Sequence, residues 1–213
     1  MKNPVFGLCL LLVCLAGCSG DQRESANPSL EPIAKVTKEA RLLRTRSDSV
    51  SLLFAEQPAF VATGFDYPVG KPNAKAYYNA QPFGENQHLG DDWNGTGGGN
   101  TDLGDPVFAI ANGYVNFARD IGGGWGNVIR IWHQLPDKLQ VESLYAHCDS
   151  IVVLPGTYVV KGQKIGTIGN CGGTYLAHLH FELRDDLSLP VGGGYAADTS
   201  GYLNPTRFIK MHR

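Results

Sequence analysis

Residues 175–183, YLAHLHFEL, carry the reading that decides the fold. The run is rich in leucine and aromatic residues, follows a Gly-Gly pair and closes at Arg184-Asp185-Asp186, so it reads as a β-strand. Strand side chains alternate between faces. His178, His180 and Glu182 therefore share one face, and Leu179, Phe181 and Leu183 share the other. The apolar face belongs to a core. On the polar face two imidazoles stand about 6–7 Å apart, from a rise of roughly 3.3 Å per residue. Both cannot be buried without partners. Water or a ligand must satisfy them.

Outward from this strand the pattern stays β. PVFAIANGYVNFAR (residues 106–119) holds two strand-like runs joined by Asn112-Gly113, a hairpin signal. GNVIRIWH (126–133) and VESLYAH (141–147) are two more strands, and YVVKGQKIGTIG (158–169) carries a tight turn at Lys161-Gly162. After residue 60 no long amphipathic helical pattern appears. The expectation is a mainly β fold, a single antiparallel β-sheet domain over residues 60–213 with Gly-rich loops. The 27 glycines and 12 prolines among 213 residues agree with many turns. A net charge of −2 gives no electrostatic footprint for nucleic acid.

The N-terminus is a different kind of segment. MKNPVFGLCLLLVCLAGC has one lysine followed by an apolar run too short to span a bilayer comfortably. Its end, Leu15-Ala16-Gly17-Cys18, resembles a bacterial lipobox, which implies a signal peptide over 1–17 and acylation of Cys18. The competing reading is a plain secretory signal. Residues 18–59 are polar, with six basic and six acidic side chains, and read as a tether in which EPIAKVTKEARLLRTR forms at most a short helix. The alternative is an extension packed on the domain. Cys9 and Cys14 leave with the signal, so Cys148 and Cys171 remain as an even pair in an oxidising compartment.

A second informative stretch is QHLGDDWNG, with His88 and Asp92 four residues apart around Gly90. The glycines argue against a helix there. With His147, His178 and His180 the chain offers four histidines and a carboxylate in β segments. That set suffices for three ligands and two free imidazoles, which is what a catalytic zinc site with an open position requires.

Together HLGDD, LYAH and HLHFEL resemble the H-x-G-x-D, strand-histidine and H-x-H-F-E elements of lysostaphin/LytM-type zinc metallopeptidases. GNVIRIWH, VVKGQKIGTIGNCG and NPTRFI look like the same family in the same order. The resemblance covers roughly residues 60–210. It implies a groove around one Zn2+ per chain, with His88, Asp92 and His180 as ligands and His147 and His178 as catalytic imidazoles. It implies as substrate the peptide part of peptidoglycan, cut by an endopeptidase. The lipid anchor would hold the protein on the extracytoplasmic side of the envelope, at the outer membrane if the organism has one. If His147 and His178 converge on one metal, the segments flanking them are neighbours. A disulfide between Cys148 and Cys171 is then one expectation, and Cys148 aimed into the core is the other.

The remaining residues receive plainer readings. His133 is structural and His212 solvated. Glu182 is either a partner for an imidazole or half of a rim salt bridge. Trp93 and Trp125 either line a substrate groove or pack in the core, which is the favoured reading for both, and GTGGG and IGGGW are expected as turns or groove walls. The competing function is a non-catalytic envelope module that activates another cell-wall hydrolase. A lipoprotein that merely grips peptidoglycan would not need five convergent polar residues.

Overall fold

The structure, a computed structural model, describes residues 31–213, so the expected signal segment and Cys18 lie outside the described residues. Its strands are β1 (Tyr77–Gln81), β2 (Asp91–Gly95), β3 (Pro106–Phe108), β4 (Gly113–Asp120), β5 (Asn127–Gln134), β6 (Gln140–Ile151), β7 (Tyr158–Val159), β8 (Lys164–Ile168), β9 (Leu179–Arg184) and β10 (Tyr202–Leu203). They run in the order β1-β2-β9-β6-β5-β4-β7, with β10 on β9, β8 on β6 and β3 on β8. Every ladder is antiparallel. Helix α1 (Glu31–Glu56) precedes the sheet and α2 (Pro205–Met211) closes the chain. Mainly β and antiparallel is what the alternating pattern called for.

The core gathers on one face of the central strands. Ile129 and Ile131 of β5, Tyr145 of β6, and Leu179, Phe181 and Leu183 of β9 are all fully buried there. Burying each such aliphatic side chain contributes about 1.5–3 kcal/mol. Strand β9 is buried along its whole length, on its polar face as well. Arg184 and Glu182 reach 0% exposure on that face.

Two local expectations differ from the structure. Asn112-Gly113 makes no hairpin, since β3 pairs with β8, while β4 pairs with β5 and β7. A two-residue hairpin of type I′ needs φ > 0 at both positions, and neither residue adopts it. Gly113 serves close packing instead, because a Cβ there would meet Trp132 O at 2.6 Å. Lys161-Gly162 makes the tight turn expected of it, with Gln163 N–H donating to Val160 O, and the flanking β7 and β8 pair with other strands.

The second difference is α1, which follows the alternative of an extension packed on the domain and not the tether. It runs for 26 residues, and its last turns pack on the domain. Val50 and Phe54 are buried against Leu187, with Leu53 alongside. Tyr158 Oη donates to Leu53 O at 2.9 Å. Residues 50, 53 and 54 follow the i, i+3, i+4 spacing of an amphipathic helix, a stripe too short to stand out in a polar segment. Packed structure thus begins upstream of the boundary expected at residue 60.

His133, read as structural, is fully buried on β5. Its Nδ1–H donates to Asn112 O at 2.8 Å, and Nε2 lies 2.7 Å from Ser143 Oγ. Burial, opposed only in part by the Asn112 bond, pushes its pKa down from 6.5 to about 4. Between those values the unfolded chain holds the proton and the folded chain does not. The stability contribution is therefore complete above about pH 6.5 and is lost as pH falls towards 4, roughly 3 kcal/mol in all. We expect the urea midpoint to drop more between pH 7 and pH 4 in wild type than in His133→Gln. Equal drops would remove His133 as the cause.

Candidate metal centre

Cross-strand register builds the site. Asp92 of β2 sits directly opposite His180 of β9, and Ala146 of β6 opposite His180 on its other side. His88 enters from the segment before β2, held by an isolated bridge to Tyr195. Gly90 lets that segment close on β9, because a Cβ there would lie 2.5 Å from Phe181 O. His88, Asp92 and His180 thereby converge as a group of potential metal donors.

Their tautomers follow from their other contacts. His88 Nδ1–H donates to Gln81 O at 3.1 Å, which turns a bare Nε2 inwards. His180 Nε2–H donates to Glu182 Oε1 at 3.0 Å, which turns Nδ1 inwards. The inward atoms lie 3.0 Å apart (His88 Nε2 to His180 Nδ1), 2.9 Å (His180 Nδ1 to Asp92 Oδ1) and 3.3 Å (His88 Nε2 to Asp92 Oδ1). Ligand distances of about 2.0–2.2 Å around tetrahedral zinc imply edges of about 3.3–3.5 Å between donors. An outward adjustment of a few tenths of an ångström fits the triad to such an ion.

The electrostatics agree with a cation site. Burial opposes charge on His180, but its hydrogen bonds to Asp92 and Glu182 and their negative charges outweigh burial and raise its pKa to about 9. Burial alone would raise the Asp92 carboxyl, yet the hydrogen bonds and charges of His180 and His88 hold it below the ordinary carboxylate range. Glu182, fully buried beside His180, resolves as the imidazole partner and not a rim salt bridge.

Two further imidazoles stand beside the triad. His178 Nδ1–H donates to Leu176 O at 2.8 Å, leaving Nε2 bare and 4.0 Å from Asp92 Oδ2. His147 lies with its ring centroid 4.7 Å from His178 and 5.6 Å from His180. It sits at a bulge in β6 with φ +59°, a left-handed conformation that histidine adopts more readily than most residues. Burial, then the charges of His180 and His178, lower its pKa to about 3, so it is a neutral imidazole at pH 7. A groove of about 420 Å³ opens over these residues.

The sequence marks only part of the groove wall. Gly124 and Trp125, from IGGGW, line one side. Trp125 lines the groove while its ring also packs on the small cluster of Val128, Leu144 and Ala146: its Nε1–H donates to Gly192 O at 3.1 Å and its ring meets His180 edge-on. Trp93 is buried in the core as expected. Gln81, Tyr175, Gly193, Gly194 and Tyr195 complete the lining. Nothing in their spacing marks them, since they come from three separate segments of the chain.

Cys148 and Cys171 form no disulfide in the structure. Strand alternation sends Cys148 away from His147 into the core cluster. Cys171 instead points at the site, with Sγ 3.4 Å from His147 Nδ1 and from Gly124 O.

A model described as peptidase family M23 matches residues 92–192. Lipoprotein NlpD of Yersinia enterocolitica is 46% identical over 81 residues, covering 38% of this chain and 78% of that protein. The chain belongs to peptidase family M23. Murein hydrolase activator NlpD of Escherichia coli (strain K12) is 42% identical over 81 residues, 38% of this chain and 20% of its own length. DD-carboxypeptidase/endopeptidase Mpg of Neisseria meningitidis serogroup B is 38% identical, over 38% of this chain and 17% of its own length. The chain thus matches only about a fifth of the length of these last two M23 relatives.

Proposed function

We propose that this chain is a zinc-dependent endopeptidase that hydrolyses peptide cross-links of bacterial peptidoglycan. The observation that carries the reading is the convergence of His88, Asp92 and His180 at donor spacing with two uncommitted imidazoles beside them. His88 Nε2, His180 Nδ1 and Asp92 Oδ1 would hold one Zn2+. When bound there, the ion would supply Lewis acidity towards the scissile carbonyl and the attacking water.

The chain's own residues supply the rest. His178 takes the water proton at Nε2, the lone pair left bare by its bond to Leu176 O. His147, with its pKa near 3, is a poor base at neutral pH. Held by the Cys171 contact at Nδ1, it offers Nε2 to the carbonyl oxygen as charge develops. Gly124, Gly193 and Gly194 leave room for an extended peptide backbone.

A second reading is favoured by the name of the Escherichia coli relative: an activator of another murein hydrolase. Such a role needs no hydrolytic machinery, whereas here the full donor set and both imidazoles are in place. Digestion of purified peptidoglycan by a soluble form lacking residues 1–18, with mass spectrometry of the products, decides between them. Released cross-link fragments support the endopeptidase. An inert protein that stimulates an added murein hydrolase supports the activator.

The envelope location belongs to the same proposal. It rests on Leu15-Ala16-Gly17-Cys18 and on the name of the Yersinia relative. Cys18→Ala is expected to move the protein from the membrane to the soluble extracytoplasmic fraction. Retention of the variant on membranes without detergent would rule out acylation as the anchor.

A further inference from the structure

The polar face of β9 continues beyond the histidines to Glu182 and Arg184, both fully buried. Glu182 divides its two oxygens. Oε1 accepts from His180 Nε2, and Oε2 accepts from Arg184 Nε at 2.9 Å. Nη2 donates to the same Oε2 at 2.5 Å and also reaches main chain at Val191 O, while Nη1 donates to Pro190 O, the two carbonyl contacts each at 2.8 Å. That segment leads straight into the groove wall, where Gly193, Gly194 and Tyr195 face the site. One guanidinium therefore joins the partner of a metal donor to the strand of chain that walls the groove.

We infer that Arg184 is a positioning residue that fixes His180 for metal through Glu182 and seats the groove wall through residues 190 and 191. The inference rests on the reading of His180 as a ligand. A carboxylate that accepts from the far nitrogen of a ligand histidine fixes its tautomer and ring orientation and raises its basicity. A carboxylate free to rotate would lose that hold. The planar fork of arginine matches a carboxylate and two carbonyls at once, which the single ammonium of lysine cannot. Arg130 provides the contrast. It binds Glu142 and donates to Leu189 O at 2.7 Å, on the same segment, but touches neither Glu182 nor His180.

The experiment is a zinc titration against a competing chelator for wild type, Arg184→Lys, Glu182→Gln, their double variant and Arg130→Lys, with melting temperatures alongside. Arg184→Lys and Glu182→Gln are each expected to weaken zinc binding about 10–100-fold, as losing such a supporting partner does. The double variant should fall no further than the weaker single, because both act through one link. Arg130→Lys should lower the melting temperature and leave zinc affinity unchanged. If Arg184→Lys fails to fold, Glu182→Gln keeps the guanidinium in place and tests the same link. Wild-type affinity in Glu182→Gln or in a folded Arg184→Lys overturns the inference, and so does an equal loss in Arg130→Lys. A wild-type chain that binds no zinc overturns the ligand reading and this inference with it.

Discussion

His180→Ala is expected to lose more zinc affinity than the roughly 10–100-fold that loss of a supporting partner costs, and to lose peptidoglycan hydrolysis with it. The alanine removes Nδ1, the donor placed 2.9 Å from Asp92 Oδ1 and 3.0 Å from His88 Nε2. Two donors, His88 and Asp92, then remain where a catalytic site of this type uses three. The same change strips Glu182 of its histidine partner while leaving Arg184 in place. The apolar side of β9 keeps Leu179, Phe181 and Leu183 in the core, so the fold should survive. Asp92→Asn makes a graded comparison: a neutral amide oxygen of the same size can still bind, without the anion that the site maintains. Elemental analysis after dialysis, with calorimetric titration, checks both variants. Zinc content in His180→Ala equal to wild type would sink the ligand assignment.

Much of this site is legible in the sequence because strand geometry is strict. Period-two alternation along one strand puts His178, His180 and Glu182 on one face, and the same alternation extended by two residues reaches Arg184. Arg184 does not stand out in the sequence because a charged residue at a strand end is ordinarily solvated, and only the fold buries it. The bulge at His147 has no sequence signal of its own. A left-handed residue inside a ladder depends on how β5 and β6 pair, and β-propensity alone says nothing of it. Asn112-Gly113 misleads for a related reason. The dipeptide permits a hairpin, but long-range pairing of β3 with β8 overrides the local preference. Helix α1 is hard to read because its packed stripe amounts to Val50, Leu53 and Phe54 at the end of a charged segment. Groove residues such as Tyr195 and Gln81 meet only in the fold, where Tyr195 Oη donates to Gln81 Oε1 at 2.9 Å.

The roles assigned to the two remaining imidazoles separate binding from chemistry. His178→Ala is expected to keep wild-type zinc and lower the turnover of peptidoglycan about 10²–10⁴-fold, the usual cost of losing a general acid–base group. His178 lies outside the triad: its Nε2 is 4.0 Å from Asp92 Oδ2, while Nδ1 is committed to Leu176 O. Removing it thus leaves all three donors and their supporting contacts with Gln81 O and Glu182. His178→Gln sharpens the test, since an amide fills similar space and forms hydrogen bonds but cannot accept a proton at neutral pH. A loss shared by both variants assigns proton transfer, whereas recovery in the glutamine variant would reduce His178 to a spacer. His147→Ala should also keep zinc and lose turnover, by removing a hydrogen bond to developing charge, a contribution of about 10²–10³-fold when such a donor is deleted. Burial keeps His147 a neutral imidazole at pH 7, able to donate from Nε2. The measurement is initial rate at saturating peptidoglycan with zinc content determined on the same samples. Full zinc and a near-wild-type rate in either variant would strike that histidine from the mechanism, and zinc loss in His178→Ala would move it into the ligand set.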